Sequence, residues 1–223
     1  MNLLFWVLYI ILALFIGSLL NVVAIRIASG QSIVFPASFC INCKISTIYL
    51  ISELLTLSTF LLIPYYFRFS MELVIAYPFA MVMIVVALSD LQYKIIPNVI
   101  TYPAIILFFL LRIFIHEYPL YIYLLAAFVV SVFLFILAIL SRGGVGGGDI
   151  KLFFLIGLVL GWQNTLLALF LSATLGAVSG GILMLLRVVK AKQLIPYGPF
   201  IFIGSFIAYF WGNELVKWYL SFF

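Results

Sequence analysis

An all-helical polytopic membrane protein with about eight transmembrane helices is the fold class this sequence predicts, on three observations. Hydrophobic residues fill 68% of the 223 positions and charged residues 8%, with a mean hydropathy of +1.39. Soluble globular domains carry about 25% charged residues, so this chain lacks the material for a solvated surface. The apolar residues gather in runs, and a helix needs about 20 of them to cross a hydrocarbon core of about 30 Å. The charges fall between the runs and favour one side. No alternating barrel pattern is visible, and a helix satisfies its own backbone in lipid.

The first run, Leu3–Ile25, is free of charge and long enough to span. With no basic stretch ahead of it, it does not read as a removable signal peptide. Tyr49–Phe67 and Leu73–Leu88 follow. Pro97 and Asn98 then mark the start of Val99–Ile115, proline being suited to a helix's first turn. Pro119–Leu140 is the fifth run. A single helix from Ile150 to Leu186 would hold 37 residues and reach about 55 Å, nearly twice the hydrocarbon thickness. Length therefore forces a division near "GWQN", giving Ile150–Gly161 and Thr165–Leu186, and Ile195–Val216 completes the eight.

Alternate loops collect Arg26, Lys44, Lys94, Arg142, Lys151, Arg187, Lys190 and Lys192, eight of the eleven basic residues. The opposite side keeps Arg68, Arg112 and Lys217 against Glu72, Glu117 and Glu214. The positive-inside rule then places both termini outside and the eight-charge face in the cytoplasm. The same excess sets a pI of about 9.2, and anionic membrane lipid accounts for it better than nucleic acid, whose stacking-aromatic and basic pattern is missing. The longest polar connection runs over residues 26–48, too short to divide domains, so residues 1–223 read as one membrane-embedded domain.

The chain's two aspartates are the candidate chemistry. Asp90 closes an apolar run in "VALSDLQYKIIPN", and Asp149 follows a glycine cluster in "RGGVGGGDIK". Carboxylates at such depth lose solvation and need a partner or a task. Asp90 stands at a helix C-terminus, where the dipole disfavours a negative charge, which a purely structural reading has to explain. Asp149 could be an N-cap of ordinary kind. Five of the six residues 143–148 are glycine, which tolerate positive φ and let another backbone approach. A phosphate loop is a poor fit, because no GK[ST] ending follows. Two carboxylates sharing one proton suit acid–base hydrolysis of a peptide bond. His116, the single histidine, falls in an outer loop, away from any thiol or hydroxyl that it could activate.

"GGGD" at 146–149 with a membrane-edge aspartate before it resembles the GxGD class of membrane aspartyl proteases, and within it the type IV prepilin peptidase family. The likeness runs in order through "GSLLNVVAIRI" at 17–27, "CINCKISTIYLISELLT" at 40–56, "SDLQYKIIPNVITYP" at 89–103, "GGGDIKLFFLIGLVLGW" at 146–162 and "IPYGPFIFIGS" at 195–205. The resemblance implies an endopeptidase of the bacterial cytoplasmic membrane that removes the leader of prepilin-like proteins at the cytoplasmic face. It makes Asp90 and Asp149 the catalytic pair, with Gly146, Gly148 and Lys151 completing the loop around the second.

Many members of that family also methylate the new N-terminus with S-adenosylmethionine, and carry two CxxC pairs that look like a zinc site. This sequence keeps one pair, Cys40 and Cys43. Two thiolates cannot close a tetrahedral site alone; a dimer pooling two pairs could. Methyl transfer is therefore in doubt where cleavage is not, and no cofactor is expected for cleavage. Glu53 could pair with Lys44 or Arg26, or receive the substrate's new amine. The alternative class is a proton- or cation-coupled transporter using the two aspartates. It predicts paired broken helices and an internal repeat, and one broken region is present. The short sixth run, about 18 Å long, further predicts that Asp149 is drawn into a water-filled notch facing Asp90.

Overall fold

A computed structural model describes residues 3–30, 47–68, 70–141, 144–187 and 195–222, which form seven helices. Two compact units divide them, residues 1–97 and 98–223. Six of the seven helices are long and apolar enough to cross a membrane, and the remaining one is a shorter apolar helix. The predicted cysteine pair and most of the 26–48 connection lie outside the described residues.

The first unit holds α1 (Leu3–Ala28), α2 (Thr47–Phe67) and α3 (Leu73–Tyr93), each packed on the other two. Small residues set the approach of α1 to α2. A Cβ on Gly17 would stand 3.1 Å from the Glu53 Cα and 3.0 Å from the Thr56 hydroxyl, so "GSLLN" and "ISELLT" meet here. Pro64 lies inside α2 and has no N–H for the Phe60 carbonyl four residues back. The Tyr9 hydroxyl of α1 donates to that carbonyl, and stands 2.9 Å from the Tyr77 hydroxyl of α3. Three helices are thus tied at the point where one has lost a backbone bond. α3 runs a turn further than the apolar run suggested: its C-cap is Lys94, not a residue near Leu88.

The second unit holds α4 (Asn98–Phe114), α5 (Leu120–Leu140), α6 (Gly147–Leu185) and α7 (Gly198–Leu220). α6 is 39 residues long, and Gly161 inside it has φ 72 and ψ −176, a non-helical geometry. The break falls at the first residue of "GWQN", where length demanded one, and a left-handed φ there suits glycine. It parts a segment 147–160 from a segment 162–185. α6 packs on α5, α4 and α7. A Cβ on Gly157 would come within 2.4 Å of the Ala127 backbone, and one on Gly204 within 2.7 Å of the Ser172 backbone. Helices gain no hydrophobic drive toward each other in lipid, so backbone contact of this kind is what holds them. Arg112, which the charge count put on the outer side at the end of the fourth run, is only 2% exposed.

Gly157→Ala tests this contact. The added methyl meets backbone, not a flexible side chain, and should destabilise the protein by about 1–3 kcal/mol as overpacking does. Gly147→Ala, where the Cβ position is open, serves as the control. Thermal unfolding of both variants in one detergent checks it.

Candidate active site

Asp90 lies in the last turn of α3, 8% exposed. Its carbonyl accepts a hydrogen bond from the Lys94 N–H at 2.9 Å, and Lys94 takes a left-handed φ of 55 to make that turn. Next to it, the Ser89 hydroxyl donates to the Ile95 carbonyl at 3.1 Å. These bonds fold the short chain after α3 back on the helix end, which keeps Asp90 from being pulled out on a loose loop.

Asp149 begins the other unit's long helix. The N-cap of α6 is Gly146, so Asp149 is the third helical residue and not the cap that local chemistry allowed. Its N–H donates to the Gly146 carbonyl at 3.1 Å. Its carboxylate turns back over the glycine: a Cβ on Gly146 would stand 3.0 Å from Asp149 Oδ2. The loop glycines were expected for positive φ. Among the described residues, however, the glycines with positive φ are Gly30 and Gly161, and Gly146 has φ −69. At Gly146 the missing side chain matters, because it gives the carboxylate room. Gly148 sits one residue before Asp149 in the same first turn. Asp149 itself is half-buried.

The two aspartates therefore occupy opposite kinds of helix end. The dipole of α6 favours negative charge in its first turn, and the dipole of α3 opposes it in its last.

Lys151 does not hang free. Its ammonium donates to Asn98 Oδ1 at 3.0 Å and lies 5.0 Å from the centre of the Tyr102 ring, both on α4. The cation expected to meet substrate thus also joins α4 to the first turns of α6. Glu53, near Gly17, is half-buried on α2. Among the described residues no three His, Cys, Asp or Glu side chains gather to hold a metal.

Two residues escaped the sequence reading. Tyr197, the N-cap of α7 in "IPYGPF", donates to the Ser172 hydroxyl at 3.2 Å, and its ring lies against Gly176. Burial pushes its hydroxyl above the usual tyrosine range; the Ser172 bond works the other way, and the negative charge of Asp149 raises it further. That coupling places Tyr197 in the electrostatic surroundings of Asp149. The quoted motif pointed to the stretch, but nothing in it singled out the phenol. Asn21, in "GSLLN", is fully buried, and neither of its amide atoms has a partner among the described residues. Such groups call for water or a bound polar group.

A multi-pass, all-helical membrane protein with one buried aspartate at a helix end, and a second behind a glycine loop, is the class that fold and site define. The sequence profile of the type IV leader peptidase family matches residues 77–181, a range that contains both aspartates. The profile of the bacterial peptidase A24 N-terminal domain matches residues 11–46. The prepilin leader peptidase/N-methyltransferase of Bacillus subtilis is 35% identical over 197 residues, 85% of this chain and 77% of that protein. The protein of the same name from Aeromonas hydrophila is 33% identical over 145 residues, 63% of this chain and 50% of the relative. That of Pseudomonas aeruginosa is 37% identical over 92 residues, 41% and 32% of the two chains. No solved structure matches. The chain belongs to the type IV leader peptidase family. A transporter gains no support from these relatives.

The Tyr197 coupling has a direct readout. In Asp149→Asn the charge that opposes tyrosinate is gone, so the Tyr197 midpoint should fall toward the ordinary value of 10.0 while burial keeps it above. Titration of carbon-labelled tyrosine by NMR, with Tyr197→Phe to assign the signal, measures it. An unmoved midpoint would mean that the two groups are not neighbours.

Proposed function

We infer that this protein is an aspartic-type endopeptidase that removes the leader peptide from type IV prepilin-like precursors. The observation that carries the reading is that Asp90 and Asp149, each held at a helix end, both fall inside the segment matched by the family profile. Asp149, favoured as an anion by its helix end, draws a proton from water. The water oxygen attacks the scissile carbonyl. Asp90, at the end that opposes charge, carries the proton and gives it to the carbonyl oxygen; as the C–N bond breaks, Asp149 passes the proton it took from water to the leaving amine, and Asp90 takes one back from a hydroxyl of the diol. The products are a leader with a new carboxylate and a mature chain with a free amine, and these last two transfers restore the pair. The titration that governs the rate belongs to the pair.

The full reading adds a setting. The Gly161 break makes eight membrane passes of the seven helices, with both termini outside and both aspartates at the cytoplasmic face of the bacterial inner membrane, in one peptidase domain. The charge asymmetry of the loops supports this orientation. With Arg112 withdrawn into the protein, the asymmetry grows sharper. The leader junction enters as an extended strand beside Gly146 and Gly148, while the substrate's apolar helix stays among the spans. N-methyl transfer, part of the relatives' printed name, is not assigned to this chain. Its loop holds a single CxxC pair, which falls short of four zinc ligands.

Asp90→Asn and Asp149→Asn should each abolish cleavage of a prepilin-like substrate in detergent, with the protein still inserted and folded. Both residues serve one bond, so the double variant should lose no more than either single one. Cleavage at close to the parent rate by either single variant would sink the aspartyl assignment.

Cys40→Ser with Cys43→Ser should leave cleavage unchanged, and mass spectrometry of the mature product made with S-adenosylmethionine should show no added methyl. Stoichiometric zinc lost together with folding in the double variant would overturn this account of the loop.

A further inference from the structure

Helix α4 holds the Asp149 segment of α6 at both ends. Near Asp149, Asn98 and Tyr102 engage Lys151. Fourteen residues further along α4, Arg112 donates from one guanidinium nitrogen to the Val159 carbonyl, and from the other to the Ile115 carbonyl at 3.3 Å. The face of the guanidinium lies 4.5 Å from the centre of the Tyr123 ring. Tyr123 is itself buried, and its hydroxyl accepts from the backbone N–H groups of Glu117 and Tyr118 at 3.3 and 3.4 Å.

Val159 stands two residues before Gly161, whose φ of 72 interrupts the helical ladder. Carbonyls in the turn before such a break lose their regular donors, and in hydrocarbon no water replaces them. They are also the negative end of the segment's dipole. A guanidinium brings permanent charge and a planar fork of donors to that end. A buried arginine within a membrane protein is costly unless it is paired, and here it has this work.

We propose that Arg112 is a positioning residue for the peptidase: by clamping the Val159 end of the segment, it sets the axial position of Asp149 at the other. The proposal rests on the reading of Asp149 as catalytic. Ten residues of helix between the two rise about 15 Å as one rod, so a slip at Val159 reaches Asp149 undiminished. The contact of Gly157 with the Ala127 backbone fixes the rod sideways. Arg112 and Lys151 fix it lengthwise. An arginine serving only as a loop charge would need neither the Val159 carbonyl nor the Tyr123 ring.

The test compares Arg112→Met and Arg112→Lys with the parent, in lipid, with full-length chain. Kinetics use a prepilin-like peptide. Depth is read from a nitroxide on Gly147→Cys in a Cys40→Ser, Cys43→Ser background, by its accessibility to oxygen and to a water-soluble nickel chelate. Arg112→Met should lower kcat by about 100-fold, the cost of a misplacement near 1 Å, with KM unchanged and the label at a new depth. Arg112→Lys, which keeps charge and donor, should return the label to its parental depth and restore most of kcat. Parental kcat and depth in Arg112→Met would overturn the proposal, and so would lost activity in a folded variant whose label has not moved. If the Met variant does not fold, Arg112→Gln carries the same test, and parental depth and kcat in it would overturn the clamp. A parent that fails to cleave, beside a variant whose label still moves, would support the clamp and overturn the peptidase reading.

Discussion

A backbone carbonyl or N–H without a protein partner has nothing else to bond to inside hydrocarbon, and this fold is organised around the places where helix geometry breaks that pairing. Pro64 removes a donor from the Phe60 carbonyl, and Tyr9 crosses from another helix to supply one. Gly161 interrupts α6, and Arg112 of α4 supplies a donor to Val159. At the end of α3 the left-handed Lys94 closes onto the Asp90 carbonyl. In each case a local defect recruits a partner, and in the first two that partner joins separate helices. The defects are therefore the fastenings of their units.

Glycine serves two ends in this framework. At positions 17, 157 and 204 it lets one helix rest against another at backbone distance, since van der Waals packing must do what the hydrophobic effect does in water. At position 146 it clears space beside a carboxylate. At Gly161, inside a helix, conformational freedom matters as such, because an L side chain is strained at that φ. A cluster that looks like a flexible hinge in sequence acts, around Asp149, mainly as empty volume.

Asp149 stands in the first turn of its helix, where the dipole favours negative charge, and Asp90 in the last turn of its own, where the dipole opposes it. Lys151 and Arg112 hold the Asp149 segment by bonding to amide and carbonyl oxygens and by lying over rings, while Tyr197 bonds a hydroxyl beyond the Gly161 break.

Composition, run length and loop charge by themselves determined a polytopic helical protein and the break near Gly161, and singled out two aspartates as candidates, because these are properties of a chain against a membrane and need no knowledge of neighbours. The order of the motifs determined the family. Tertiary structure decided the rest. Asp149 became a third helical residue and not a cap, since where a helix starts depends on which backbone turn closes first. Asp90 moved inside its helix when Lys94 accepted a left-handed φ. Arg112, counted with the outer side's charges, turned out to lie in the protein interior, and Tyr197 entered the surroundings of Asp149. Val159, which Arg112 bonds, is 47 positions away on another helix, and Ser172, which Tyr197 bonds, is 25 positions away on another helix, distances that local sequence does not encode.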